Sequence, residues 1–189
     1  MRKPLTFDEV FKIWIDAEVG QVERTNILPV AKAKGFDSIV KWRLASALRL
    51  GLDKREWTLE TLEHPNDTLP HVVIGPYQGW SVHFENTLHT SFAEALRIPT
   101  FLGWVTANER IMNITAHFPT TNTFILFRKP DGTLIHIEGG HRMCATAYMQ
   151  HIRTPINFSN RTTLAAVTHI AESELPLLHE FLKLGTNKQ

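Results

Sequence analysis

The stretch Asp131-Gly132-Thr133-Leu134-Ile135-His136-Ile137-Glu138-Gly139-Gly140-His141-Arg142-Met143-Cys144-Ala145 decides how the chain is read. Asp131-Gly132 is a turn pair. The residues after it alternate apolar and polar, as a half-buried strand does, until two glycines stop the run. His141 and Arg142 follow, and Met143 to Gln150 reads as a helix. Strand, Gly-Gly, His-Arg, helix is one way to build an anion site. Glycines let backbone amides approach a phosphate closely. A helix start leaves N–H groups unpaired at the positive end of its dipole. Arg142 carries a planar two-pronged donor that matches phosphate oxygens.

Working outward, Thr123 to Phe127 is apolar and β-rich, and Lys129-Pro130-Asp131-Gly132 turns it back on 133–138 as a hairpin. Before it, Thr106-Ala107-Asn108-Glu109 has the form of a capping box opening a helix, with Ile111, Met112, Ile114 and Phe118 as apolar members and Pro119 as its end. After it, 155–158 and 163–168 read as strands. Residues 172–184 read as a closing helix with Leu175, Leu178, Phe181 and Leu182 on one face. In the first half, Thr6-Phe7-Asp8-Glu9 is another capping box. It starts a helix over 7–18 that carries Val10, Phe11, Trp14 and Ile15 and ends near Gly20. A second helix spans 38–50, stopped by Gly51. Residues 52–70 are polar and punctuated. Residues 71–74 and 80–84 read as short strands around Gly75-Pro76, and 90–96 as a short helix stopped before Pro99. The fold class is α+β. A small mixed sheet flanked by helices covers 91–189, and a helical N-terminal extension with a short hairpin covers 1–90, the two forming either separate units or one compact domain.

Composition narrows the function classes. The chain has 189 residues, 43% hydrophobic and 21% charged, enough for a real core. A net charge of +1 does not indicate a nucleic-acid coat. A local basic patch from Lys41, Arg43, Arg49, Arg153 and Arg161 stays open, although a solvated face is the plainer reading of the first three. Cys144 is the sole cysteine, which excludes an intrachain disulfide and a cysteine-rich zinc site. Between Met143 and Ala145 it reads as a packing residue. No apolar run reaches the ~18 residues that span a bilayer, and no signal peptide is visible, so the expected location is the cytoplasm with no membrane partner.

The order helix, strand, turn, strand, Gly-x-x-Arg, helix from about Asn108 to Phe158 resembles the core of the ParB/sulfiredoxin-like superfamily. Glu138-Gly139-Gly140-His141-Arg142, followed by Ala145, is similar to that family's acidic-Gly-His-x-Arg and Gly-x-x-Arg variants. The resemblance implies a nucleoside triphosphate, ATP or CTP, bound with Mg²⁺. Its phosphates would be held at Gly139, Gly140, His141 and Arg142, with Arg110 beside them. It also implies Glu138 as metal ligand or base, and Glu138, His141 and Glu109 as the candidate catalytic groups. The chain departs from two branches. Sulfiredoxins carry a cysteine between the second Gly and His-Arg, whereas Cys144 lies beyond Arg142. Partition proteins carry a helix-turn-helix region after the nucleotide module, whereas the roughly thirty residues after Phe158 read as strands and one helix. A branch resembling free-serine kinases remains, which implies phosphotransfer or nucleotide hydrolysis. The rival is a non-catalytic, nucleic-acid-associated regulatory module.

Each candidate also has a structural reading. The glycines can simply make a tight strand-to-helix turn. Glu138 can pair with Arg142, and Glu109 can serve the capping box. His136 can face solvent or the rim of a pocket, and its spacing from Glu138 and His141 fixes no metal geometry. Gly75-Pro76-Tyr77-Gln78-Gly79-Trp80 is a shaped loop that can either stack on a base or pack on its own core. A carboxylate or sulfate guest is the remaining anionic alternative to a nucleotide.

Overall fold

The structure, a computed structural model, describes residues 2–22, 27–84 and 87–188. It is built on one sheet of five strands: β1 (Arg2–Leu5), β2 (Trp57–Thr61), β3 (Thr121–Arg128), β4 (Leu134–Glu138) and β5 (Thr162–His169). Their order is β1-β2-β5-β3-β4. β3 and β5 run parallel and the other neighbours antiparallel, so the sheet is mixed. The first sixty-one residues supply two of the strands.

The helices are α1 (Phe7–Val22), α2 (Leu28–Ala33), α3 (Ile39–Arg49), α4 (Pro65–Thr68), α5 (Gln78–Ser81), α6 (Phe92–Ala95), α7 (Pro99–Ala107), α8 (Glu109–Ala116), α9 (Gly140–His151) and α10 (Leu175–Leu184). Alternation along β3 explains how they stack. Phe124 and Leu126 enter one core with Phe92, Phe101, Ile111 and Met143, from α6 to α9. Ile125 and Phe127 enter a second core with Val10, Trp14, Ala47, Leu178 and Phe181, from α1, α3 and α10. Both faces of the sheet are therefore covered. α1 starts where its capping box places it: Glu9 N–H donates to the Thr6 hydroxyl at 3.2 Å, and Thr6 N–H donates to the Glu9 carboxylate at 2.8 Å. α3 likewise starts at Ser38, whose hydroxyl accepts from Lys41 N–H, and Gly51 takes the left-handed conformation just past its end.

Several expectations are corrected. β2 lies inside the stretch read as a punctuated loop. The expected strand over 71–74 is reduced to bridges from Val73 to Ser91 and Ile135. The expected strand over 80–84 starts in the helical turn α5. Trp80 and Phe84 are both buried and four residues apart, a spacing that suits one helical face as well as a strand. No strand forms over 155–158. α1 continues through Gly20 to Val22. The expected short helix before Pro99 forms as α6, and Pro99 also opens α7 at its first position, where a missing N–H costs nothing. Thr106 is consequently inside α7, its hydroxyl donating back to the Leu102 and Gly103 carbonyls. Asn108 caps α8 instead, accepting from Ile111 N–H at 3.1 Å.

Candidate functional site

The chain leaves the sheet at the end of β4. The β3–β4 ladder pairs Ile125 with Glu138 but Leu126 with His136, so Ile137 is skipped as a bulge. Its carbonyl is taken by the Tyr77 hydroxyl at 2.7 Å. Ile135 and Ile137 point into the core that holds Trp14, and His136 and Glu138 point to the other side. His136 is buried among the rings of Tyr77, Trp80 and Phe92, at centroid distances of 5.4, 6.0 and 5.5 Å. Its Nδ1 accepts from Gly75 N–H at 2.6 Å, so the proton of the neutral ring is on Nε2. Burial lowers its pKa to about 3.

The turn after β4 differs from an open phosphate cradle. Gly139 adopts φ +94°, and a Cβ there would lie 2.4 Å from the Phe124 ring. The Arg142 and Met143 amides both donate to the Gly139 carbonyl at 3.0 Å. The Gly139 amide lies beside the Glu138 carboxyl and favours its charged form. Arg142 folds back rather than outward. Its Nη2 donates to Glu138 at 2.7 Å and to the Thr123 carbonyl at 3.1 Å, with the guanidinium 4.9 Å from the Phe124 ring centroid. The pairing of Glu138 with Arg142 and the tight-turn role of Gly139 are thus what the geometry displays.

A cavity of about 110 Å³ opens beside this turn. From β4 and α9 its wall receives His136, Glu138, Gly139, Gly140 and His141, and from α8 it receives Arg110. Tyr77 and Trp80 come from the shaped loop, and Trp14, Glu18 and Arg43 come from α1 and α3. Of the residues the sequence singled out, Glu138, Gly139, Gly140, His141 and Arg110 are therefore brought together. Arg142 lies behind the wall, and Glu109 is exposed in the first turn of α8.

The wall is rich in perturbed charges. Burial holds the Glu138 carboxyl above the ordinary carboxylate range; the Arg142 charge opposes this and Glu18 reinforces it. Burial, with the charges of Arg110, Arg142 and Arg43 adding to it, keeps His141 well below the usual histidine range. Burial also lowers Arg110, while Glu18 and Glu138 support its charge. Glu18 is only 5% exposed and pairs with Arg43 at 2.5 Å. Arg43 is held between two rings, 3.9 Å from the Trp42 centroid and 5.9 Å from that of Trp14. Perturbed acids and bases gathered in one cleft make this the candidate site.

Sequence reasoning did not place Trp14, Glu18 or Arg43 at this site. A signal was present: Val10, Trp14 and Glu18 recur every fourth residue, so Glu18 continues a buried stripe, and Arg43 shares a face with Ala47 and Leu50. Four residues of the candidate basic patch have partners within the chain. Lys41 pairs with Asp37 at 2.6 Å, and the half-buried Arg43 pairs with Glu18. Arg49 donates to the Gly185 carbonyl at 3.1 Å, and Arg161 to that of Asn157 at 2.9 Å. Cys144 is buried, and burial pushes its thiol up. Among the described residues no group of three or more His, Cys, Asp or Glu is arranged to hold a metal ion, and Glu138, the candidate magnesium ligand, is occupied by Arg142. No described helix is long and apolar enough to cross a membrane.

Comparison with known proteins gives no matching family model, no matching curated protein and no matching solved structure.

Proposed function

We propose that the chain binds a small anionic molecule in this cavity, its anionic group facing Arg110 and His141 beside the Arg43–Glu18 pair. The observation that carries the reading is convergence. Three chain segments far apart in sequence bring two guanidiniums and two uncharged imidazoles to one opening. Out of bulk water, each charge-assisted bond to an anion is stronger than at an exposed surface. His141, neutral at ordinary pH, supplies a proton acceptor to a guest that reacts.

The size favours a phosphate, sulfate or carboxylate on a small body, because pockets enclosing larger ligands run to roughly 300–1,000 Å³. The ATP or CTP implied by the ParB/sulfiredoxin-like resemblance would insert one end only. Phosphates at Gly139 to Arg142 would require Arg142 to leave Glu138 and Thr123, and Mg²⁺ on Glu138 would compete with that same guanidinium.

Thermal unfolding with phosphate, sulfate, acetate, AMP, ATP and CTP, each with and without Mg²⁺, tests the reading. A bound anion at a hundred times its Kd adds about 2.7 kcal/mol of stability. His141→Gln and Arg110→Lys should weaken that anion by about 1.5–3 kcal/mol. Absence of any shift with every anion would overturn the proposal. A shift with ATP or CTP that requires Mg²⁺ and exceeds that of phosphate would favour the nucleotide form of it.

A further inference from the structure

A second opening, independent of the cavity beside β4, lies where β2 ends and β5 begins. There the Leu62 amide donates to the Thr163 carbonyl at 3.0 Å. α4 and residues 158–162 border this junction and leave a groove of about 790 Å³, within the range that holds small organic ligands. Two side chains on its wall carry oxygens with nothing to bond. Asn66 donates through Nδ2 to the Ile156 carbonyl at 2.9 Å, which fixes the orientation of its amide, and its Oδ1 is buried without a partner among the described residues. Thr163 is 3% exposed, and its hydroxyl is unpartnered in the same way. Thr163 shares a face of β5 with Ala165 and Val167, which enter the same core as Leu62. Its hydroxyl is thus on the side of the sheet where α4 packs against α9.

Buried oxygens without donors are rare in folded proteins, and each calls for a partner. The charges at the groove point to the kind of partner. Glu63 and Asp67 stand on its wall. Glu60, on β2, is taken by Arg128 and Arg2, whereas among the described residues neither Glu63 nor Asp67 has an ion pair. The groove's arginine, Arg161, is already directed to the Asn157 and Phe118 carbonyls. What the wall offers is acceptors and negative charge, so its complement brings N–H donors and positive charge. A primary ammonium supplies three donors and one charge in a single compact group. The half-buried Phe158 gives a short methylene chain apolar surface to lie on. We propose that this groove binds an aliphatic primary amine, its ammonium donating to Asn66 Oδ1 and the Thr163 hydroxyl and facing Glu63 and Asp67.

The test is a titration of the full chain with n-butylammonium, tetramethylammonium, potassium and butanol at constant ionic strength, read by amide NMR shifts and by thermal shift. Butylammonium should bind at least about tenfold more tightly than tetramethylammonium, which has the charge but no N–H. Thr163→Val keeps the side-chain shape and breaks no hydrogen bond, so it should fold normally and weaken butylammonium about tenfold. Asp67→Asn, at an exposed position, should weaken it less, by about two- to fivefold. If Thr163→Val does not fold, the preference of the native chain for butylammonium still decides. Tetramethylammonium, potassium or butanol binding as tightly as butylammonium, or an unchanged affinity in Thr163→Val, would overturn the proposal. So would the absence of butylammonium binding at millimolar concentration, which would leave ordered water as the partner of both oxygens.

Discussion

A methyl group placed on Gly75 would lie 1.9 Å from the His136 carbonyl oxygen, and one on Gly140 would lie 2.7 Å from His136 Nε2 and 3.0 Å from the Trp80 ring. These glycines admit a buried histidine and its aromatic neighbours, where the sequence suggested that Gly140 admits a phosphate. The distinction is measurable. Gly140→Ala should lower the unfolding free energy by about 1–3 kcal/mol, the usual effect of overpacking. Gly75→Ala, which meets backbone that cannot rotate away, should cost more. Gly79 has open space around its Cβ position, so Gly79→Ala serves as the neutral control. Urea midpoints for the three variants check the ranking. A Gly140→Ala protein as stable as the parent would show that the contact relaxes freely.

Among the elements, those written in local signals were legible: α1 and α3 through Thr6, Ser38 and Gly51, the β3–β4 hairpin through Asp131-Gly132, and α10 through its apolar face. What escaped was set by distant partners. β2 is a strand because β5 lies beside it, with Thr58 opposite Val167. α7 escaped because Pro99 ends one pattern and opens another equally well. The site divides the same way. The β4–α9 turn stood out as Glu138-Gly139-Gly140-His141, but Arg142 was misplaced because its choice between an outside anion and Glu138 is made by packing on Phe124. Arg43 looked like a solvated residue because its partner Glu18 is on another helix. The α7–α8 boundary gives a direct test. Asn108→Ala should destabilise by about 1 kcal/mol through loss of the cap, while Thr106→Ala should stay within about 0.5 kcal/mol. Chemical denaturation of the two variants checks this, and equal effects would return the cap to Thr106.

For the whole molecule, the buried imidazoles tie stability to pH. The pKa of His136 is lowered on folding by burial, to about 3, and that of His141 is lowered too. The unfolded chain therefore takes up protons that the folded chain refuses once pH falls below about 6.5. Stability contributed by the neutral rings is fully present above that pH and is lost as pH falls toward 3. For His136 alone the loss is on the order of 3 kcal/mol by pH 4. Urea midpoints between pH 7 and pH 4 should fall, and His136→Gln should make the decline shallower. A flat profile in the parent chain would show that the ring is protonated inside the fold.

The strand order carries a consequence for how the molecule is made. β2 has only β1 and β5 as neighbours, and β5 is encoded by residues 162–169, near the far end of the chain. A ribosome adds about 5–20 residues per second. The opening third of this protein therefore waits for seconds with one edge of β2 unpaired. During that interval Trp57 and Leu59 are available to chaperones, and to the wrong partner.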